Sequence, residues 1–162
     1  MATGKRTAEA FWRFSLMVYG RPGMQDALLG LQDRGGHNVN LVLFALWLGL
    51  NGEQLDAAGL TRARAAIAQL DRGIVAPLRR LRRSLKGDPD ADVQDLRRRV
   101  LAVELAAERR VQARLAESLG QRRHAKPGNR AALAEVNLQL VLGPDDFASA
   151  ETLILRRTIA DA

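Results

Sequence analysis

Residues 11–50 read FWRFSLMVYGRPGMQDALLGLQDRGGHNVNLVLFALWLGL, and the final part of this stretch, Val39–Leu50, decides the fold. Its side chains are apolar on nearly every side, with Asn40 the exception. A short run of this kind is either a buried strand or a helix covered all round. Val39, Leu41, Val42 and Leu43 would suit a strand, but no other stretch offers a partner strand. The pattern therefore predicts a central helix over Val39–Leu50, with Asn38 as its N-cap and Asn51-Gly52 as its stop.

Working outward, Phe11, Phe14, Met17 and Val18 recur at intervals of three and four and predict a helix over 8–19. Thr7 is the expected N-cap, and Glu9 suits the positive end of the helix dipole. Gly20 closes that helix and Arg21-Pro22-Gly23 turns the chain. Met24, Ala27, Leu28 and Leu31 then form the inward stripe of a helix over 24–33, ended by Arg34-Gly35-Gly36. Downstream, 54–59 opens a helical segment that Leu60 to Asp71 continues, with alanine filling most positions. Gly73 bends it, and Pro77 falls where the first turn of a new helix tolerates a missing N–H. That helix places Leu78, Leu81 and Leu85 on one face and Arg79, Arg80, Arg82, Arg83 and Lys86 on the rest.

Gly87-Asp88-Pro89-Asp90 breaks the chain again. The longest helix follows, over 91–119, with Val93, Leu96, Val100, Val103 and Ala107 as its apolar stripe, drifting through Val111 and Leu115. At about 1.5 Å per residue it spans about 40 Å, longer than a compact unit of this size requires. It is expected to act as an arm or strut, or to pack on a second copy of the chain. Gly120 to Asn129 is a polar, basic loop. Leu133, Val136, Leu140 and Val141 mark a helix over 130–142 that Gly143-Pro144 ends, and Leu153, Ile154 and Leu155 anchor a final amphipathic segment over 147–159.

The fold class is thus all-α, a single-domain irregular helical bundle of six to eight helices with one long helix. Residues 1–6 are expected to be disordered and 7–162 to form the domain. Within it lie a core over 7–50, a basic helical region over 54–123 that contains the long helix, and C-terminal helices over 130–160.

The opening Phe11-Trp12-x-Phe14-Ser15, the Tyr19 turn into Pro22-Gly23, the Leu31-Gln32-Asp33 step, and Val39-Asn40-Leu41 running into Leu43-Phe44 and Trp47-Leu48 also carry a resemblance. Together they resemble the shared core of a family of small bacterial proteins of unknown function, with the pattern FWxFSLxxYxxPGxQxALLxLQDxxGxxVNLxLFxxWL. The resemblance covers the first third of the chain and implies a bacterial, cytoplasmic protein of about this length. It brings no activity, cofactor or site residue with it.

Composition narrows the function. The 162 residues contain no cysteine, which removes disulfides, iron-sulfur clusters, thiolate zinc sites and cysteine nucleophiles together. Two histidines in separate regions complete no metal set, so neither a metal nor a cofactor is expected. No run approaches the roughly 20 apolar residues of a membrane-spanning helix, and the N-terminus has no signal-peptide pattern; the expected location is the cytoplasm. The net charge of +7 is uneven: +2 over residues 1–73 (8 basic, 6 acidic), +8 over 74–130 (15 and 7) and −3 over 131–162 (2 and 5).

Three groups of residues are candidates for a site. Asp33, His37 and Asn40, with Trp47 nearby, border the central helix. His37 and Asp33 have the composition of a general base and its orienting carboxylate, although ion pairing of Asp33 and capping by Asn38 explain the same residues structurally. A buried amide must find partners, which makes Asn40 the first choice for a ligand contact. The aromatic set Trp12, Phe14, Tyr19, Phe44 and Trp47 either lines an apolar pocket or packs the core. Arginine-rich blocks over 79–86, 97–99, 109–114 and 122–130, chiefly Arg79, Arg80, Arg82, Arg83, Arg97, Arg98 and Arg99, could meet phosphates. They are interleaved with acids, however, and lack aromatics for base stacking. His124 reads as an exposed loop residue.

No catalytic constellation stands out, so the leading expectation is a non-enzymatic protein-protein interaction protein, an adaptor or regulator. It would bind another protein through an apolar or arginine-rich helical face, with a homodimer through the long helix as a variant of that reading. The alternative is small-ligand binding or catalysis in a helical pocket near His37 and Asn40. A further alternative is RNA or DNA binding by the arginine-rich middle region.

Overall fold

The computed structural model describes residues 2–118 and 129–160, and every regular element among them is helical. In chain order these are α1 (Ala2–Tyr19), α2 (Met24–Asp33), α3 (Val39–Leu50), α4 (Ala57–Leu70), a π turn (Asp71–Val75), α5 (Ala76–Ser84), α6 (Ala91–Ser118), α7 (Arg130–Phe147) and α8 (Ala150–Ala160). The all-α class and the single long helix are as the spacing predicts. The basic loop expected after the long helix, His124 included, lies outside the described residues apart from Asn129.

The central helix forms as its sequence dictates. Asn38 caps it, its side-chain oxygen accepting the Leu41 amide at 3.2 Å. Every residue of α3 from Val39 to Gly49 is buried. On one side, Phe11 of α1 meets Phe44 and Trp47, with each ring centroid 5.3 Å from that of Phe11. On the other side α7 crosses so closely that a Cβ at Gly49 would overlap the backbone of Leu133 and Ala134. Asn137, fully buried in α7, ties this crossing to the chain beyond α3. Its amide donates to Ala45 O at 3.2 Å and Glu53 O at 2.9 Å, and its oxygen accepts from the Leu55 amide at 2.8 Å. A buried backbone group without such a partner would cost about 1–3 kcal/mol.

The remaining helices depart from expectation in instructive ways. α1 begins at Ala2 rather than Ala8, so the segment expected to be disordered is helical from Ala2 and Thr7 lies inside the helix. Ala2, Lys5, Arg6 and Ala8 are good helix formers, and no proline interrupts them. Its buried face is Phe11, Ser15 and Val18, while Met17, expected inside, is 48% exposed. α4 is capped by Asp56, which accepts the Gly59 amide at 2.6 Å. The break expected at Gly73 is a widened turn in which the Ala76 amide reaches back to Asp71 O, and Pro77, lacking an N–H, follows directly. α7 kinks where Gly143-Pro144 was expected to end it, with Gly143 at φ 74°.

The long helix buries Val100, Val111 and Leu115 of its expected stripe, with Ala107 packed against the core, but not the whole of it. Leu96 and Val103 are 48% and 54% exposed, and the buried positions are Val100, Glu104, Val111, Gln112, Leu115 and Ala116. The apolar spacing misled because the inward face carries a glutamate and a glutamine whose partners lie on other helices.

The α3–α7 crossing gives a direct test. Gly49→Ala places a methyl against helix backbone that cannot step aside, and overpacking of this kind costs about 1–3 kcal/mol or more. The variant is expected to unfold at clearly lower urea concentration than the wild type, whereas Gly73→Ala, where an added Cβ meets nothing within 4 Å, should cost far less.

Candidate functional site

The buried polar residues of α6 line one cleft of about 310 Å³, enclosed by α1, α2, α5 and α6 and reaching Asn40 at the start of α3. Its inner end is a chain of neutral groups. The Ser15 hydroxyl lies 3.1 Å from Gln112 Oε1, and Gln112 Nε2 donates to Asn40 Oδ1 at 2.9 Å. Asn40 is only 5% exposed. Its oxygen is thus satisfied, while its NH₂ meets no acceptor among the described residues.

Towards the α5 side the cleft becomes ionic. Arg79 and Arg82, one turn apart on α5, face Glu104 and Glu108, one turn apart on α6. Arg82 grips Glu104 through two N–H groups, Nε to Oε2 at 2.5 Å and Nη2 to Oε1 at 3.2 Å. Arg79 bridges both acids, Nε to Glu104 Oε1 at 3.3 Å and Nη2 to Glu108 Oε1 at 2.7 Å. Glu104, 3% exposed, has both oxygens occupied. Charge-assisted and bidentate pairs are the stronger hydrogen bonds, yet such groups lose hydration on burial, so pairing of this kind often stabilises no better than apolar packing would.

The electrostatics follow. The bond to Glu104 raises the Arg82 pKa despite its burial. Burial raises the Glu108 pKa above its ordinary 4.5, and the Arg79 hydrogen bond only partly opposes that shift. Burial also raises the Tyr19 pKa, helped by the negative charge of Glu108, so its hydroxyl stays a neutral donor.

The four residues Asp33, His37, Asn40 and Trp47 do not form one site. Asp33 lies on the surface and binds Arg83 at 2.9 Å, the bond that chiefly holds its carboxyl below the usual carboxylate range. His37 turns the opposite way, its Nε2 2.7 Å from Asp146 Oδ2. It borders a separate cleft of about 290 Å³ with Asn38, Arg64, Asp71 and Arg72. Trp47 packs in the core, its ring 6.2 Å from Phe44. Of the four, only Asn40 enters the ionic cleft. The aromatic set divides likewise: Trp12 and Tyr19 line the cleft, Phe44 and Trp47 are core, and Phe14 packs against the core.

The arginines expected as a basic surface are largely engaged. Arg79 and Arg82 serve the cleft, Arg83 holds Asp33, and Arg98 and Arg99 hold Asp95 at 2.9 and 3.0 Å. Arg97 is partly buried with its Nε unpartnered, and Arg80 is exposed. Glu104, Glu108 and Gln112 were not among the candidates, although Val100, Glu104, Glu108, Val111 and Leu115 share one helical face at three- and four-residue steps.

Residues 10–115 match the family described as a protein of unknown function (DUF2390), and the chain belongs to that family. The match runs well beyond the first third of the chain and takes in the whole cleft. Neither the curated proteins nor the solved structures give a match.

Glu108 provides a test of the cleft's electrostatics. Its folded-state pKa is raised, so its contribution to stability is fully present below about 4.5 and is lost as pH rises through the folded value. Urea unfolding of the wild type and of Glu108→Gln across that range should show the wild type losing ground to the variant as pH increases. A constant margin would mean that burial of this carboxyl carries no cost.

Proposed function

We propose that this is a non-enzymatic, cytoplasmic protein-protein interaction protein, and that the face formed by α5 and α6 is where a partner binds. The observation that carries the reading is where apolar surface remains uncovered. Of the ten large apolar side chains that stand exposed among the described residues, Ile74, Leu81 and Val103 come together between α5 and α6, while Leu16, Leu101 and Leu105 belong to the cleft described above. Concentrated apolar surface of this kind marks binding sites.

Between α5 and α6 it forms a groove lined by Gly73, Ile74, Pro77, Leu78, Leu81 and Val103. No charged side chain lines it, and its borders are basic. Arg80 follows Pro77 by one turn, while Arg110 and Arg99, the latter paired with Asp95, fall on the Val103 side of α6; all three arginines are exposed. The occupant this favours is an amphipathic helix of another protein, with its apolar stripe in the groove and acidic side chains along its edges. A second copy of this chain would set two basic borders against each other.

The test compares capture by the tagged wild type and by Val103→Asp at low and high salt, with crosslinks mapped to the retained protein. The expected result is one partner, crosslinked through an acidic amphipathic helix, held less well at high salt and lost with Val103→Asp. Retention unchanged by that substitution would end the proposal. Sedimentation showing a dimer that Val103→Asp dissolves would assign the groove to a second copy instead.

A further inference from the structure

We infer that the cleft reaching Asn40 is a binding site for a small amphipathic carboxylate, whose acid group meets Asn40, Tyr19 and Arg79 and whose apolar body lies against Leu16, Leu101 and Leu105.

The argument begins from donors without acceptors. Asn40, 5% exposed, lines the cleft, and the hydrogen bond it makes among the described residues is the one its Oδ1 accepts from Gln112, which leaves its NH₂ to donate. The Tyr19 hydroxyl likewise lines the cleft with no hydrogen-bond partner among the described residues. Arg79 uses Nε and Nη2 on the two glutamates, leaving Nη1 free to donate. The charged acceptors are mostly taken, with both Glu104 oxygens and one Glu108 oxygen occupied, while Gln25 and Gln32 each bring an acceptor together with donors. A site with surplus donors suits a ligand rich in acceptors, and a carboxylate accepts from several donors at once.

The walls supply the rest of the ligand's chemistry. Leu16 of α1 and Leu101 and Leu105 of α6 line the cleft while remaining exposed, so an apolar body in the mouth would cover surface that is otherwise wet. A volume of about 310 Å³ corresponds to about ten water volumes, and so to a ligand of about ten non-hydrogen atoms. Binding needs no loss of charge balance. The incoming carboxylate accepts from the free Nη1 of Arg79, and the charge it brings is met at Glu108, already inclined to hold a proton by its burial, which takes one from solvent on its unoccupied oxygen. The other charged groups facing it, Arg82 and Glu104, stay paired with each other.

Octanoate, a probe of the right size, tests this by calorimetric titration of the full chain, with octanol as the uncharged counterpart. Octanoate is expected to bind saturably in the micromolar-to-millimolar range and octanol far more weakly. Tyr19→Phe, which removes one hydroxyl and leaves the ring, should weaken octanoate about three- to tenfold, the worth of one hydrogen bond, and Arg79→Gln should weaken it more. No saturable binding at millimolar octanoate would overturn the inference, as would equal binding of octanol. So would indifference to Tyr19→Phe in a variant that unfolds at the same urea concentration as the wild type.

Discussion

A helix with no polar face must be covered on every side, and α3 imposes that requirement on the rest of the molecule. Its residues from Val39 to Gly49 are all buried, so its neighbours are arranged by what α3 needs. α7 satisfies one side by close approach, which only the missing side chain at Gly49 permits. α1 satisfies another through the Phe11, Phe44 and Trp47 rings, which gain both area and favourable ring contacts. The two polar groups drawn into this shell, Asn40 and Asn137, are where the covering helices are fixed in register. Each accepts a hydrogen bond from a residue distant in sequence, Gln112 and Leu55 respectively, that a one-residue slip would break.

Once α3 is covered, α5 and the N-terminal half of α6 have little core left to pack on. No residue of α5 is buried. It is held by Arg79 and Arg82 on Glu104 and Glu108, and by Arg83 on Asp33 of α2. Apolar side chains in those places would often hold as well, because buried ions must make up for lost hydration. What the charges supply is direction: bidentate pairing fixes the rotation of α5 about its own axis. That rotation turns Ile74 and Leu81 away from the ion pairs, onto the opposite side of the α5–α6 seam.

How much of this could be read in the sequence depended on whether a helix faces inward with one kind of residue. α2 and α3 were legible to the residue because Gly23, Asn38 and the apolar spacing all agree on their bounds. α6 was legible in extent and at Val100, Val111 and Leu115, which are buried as expected, but not at Leu96 and Val103. Its best apolar stripe, through Leu96 and Val103, is partly exposed, while Glu104 and Gln112 point inward. Nothing local to α6 could show this, since the groups that make burial of Glu104 tolerable lie 22 and 25 residues away in the chain. The candidate site suffered in the same way. Asp33 and His37 are close in sequence and were grouped together, but the turn between α2 and α3 sends one towards Arg83 and the other towards Asp146. Asn40 drew notice for a sound reason, its place in an apolar helix, and it is the residue of the four that reaches the ionic cleft.

The ionic cleft and the apolar groove therefore share one element. The cleft takes its arginines from one side of α5, and the groove takes Ile74, Leu78 and Leu81 from the π turn and the other side. At its N-terminal end α5 joins α4 through the π turn at Gly73, where the backbone ladder is widened and a Cβ would meet nothing. Electrostatic contacts hold it in position, and of these the exposed Arg83–Asp33 pair is the one that weakens most as salt rises, the pairs on Glu104 being buried enough to be screened much less. α3 and α7 are bound by apolar contact and a hydrogen-bonded asparagine, on which salt has little hold. Any displacement of α5 towards or away from α6 changes the shape of the cleft and the groove together. The ion pairs between Arg79, Arg82, Glu104 and Glu108 thus determine more than the stability of one short helix: they set the width of the cleft and of the groove alike.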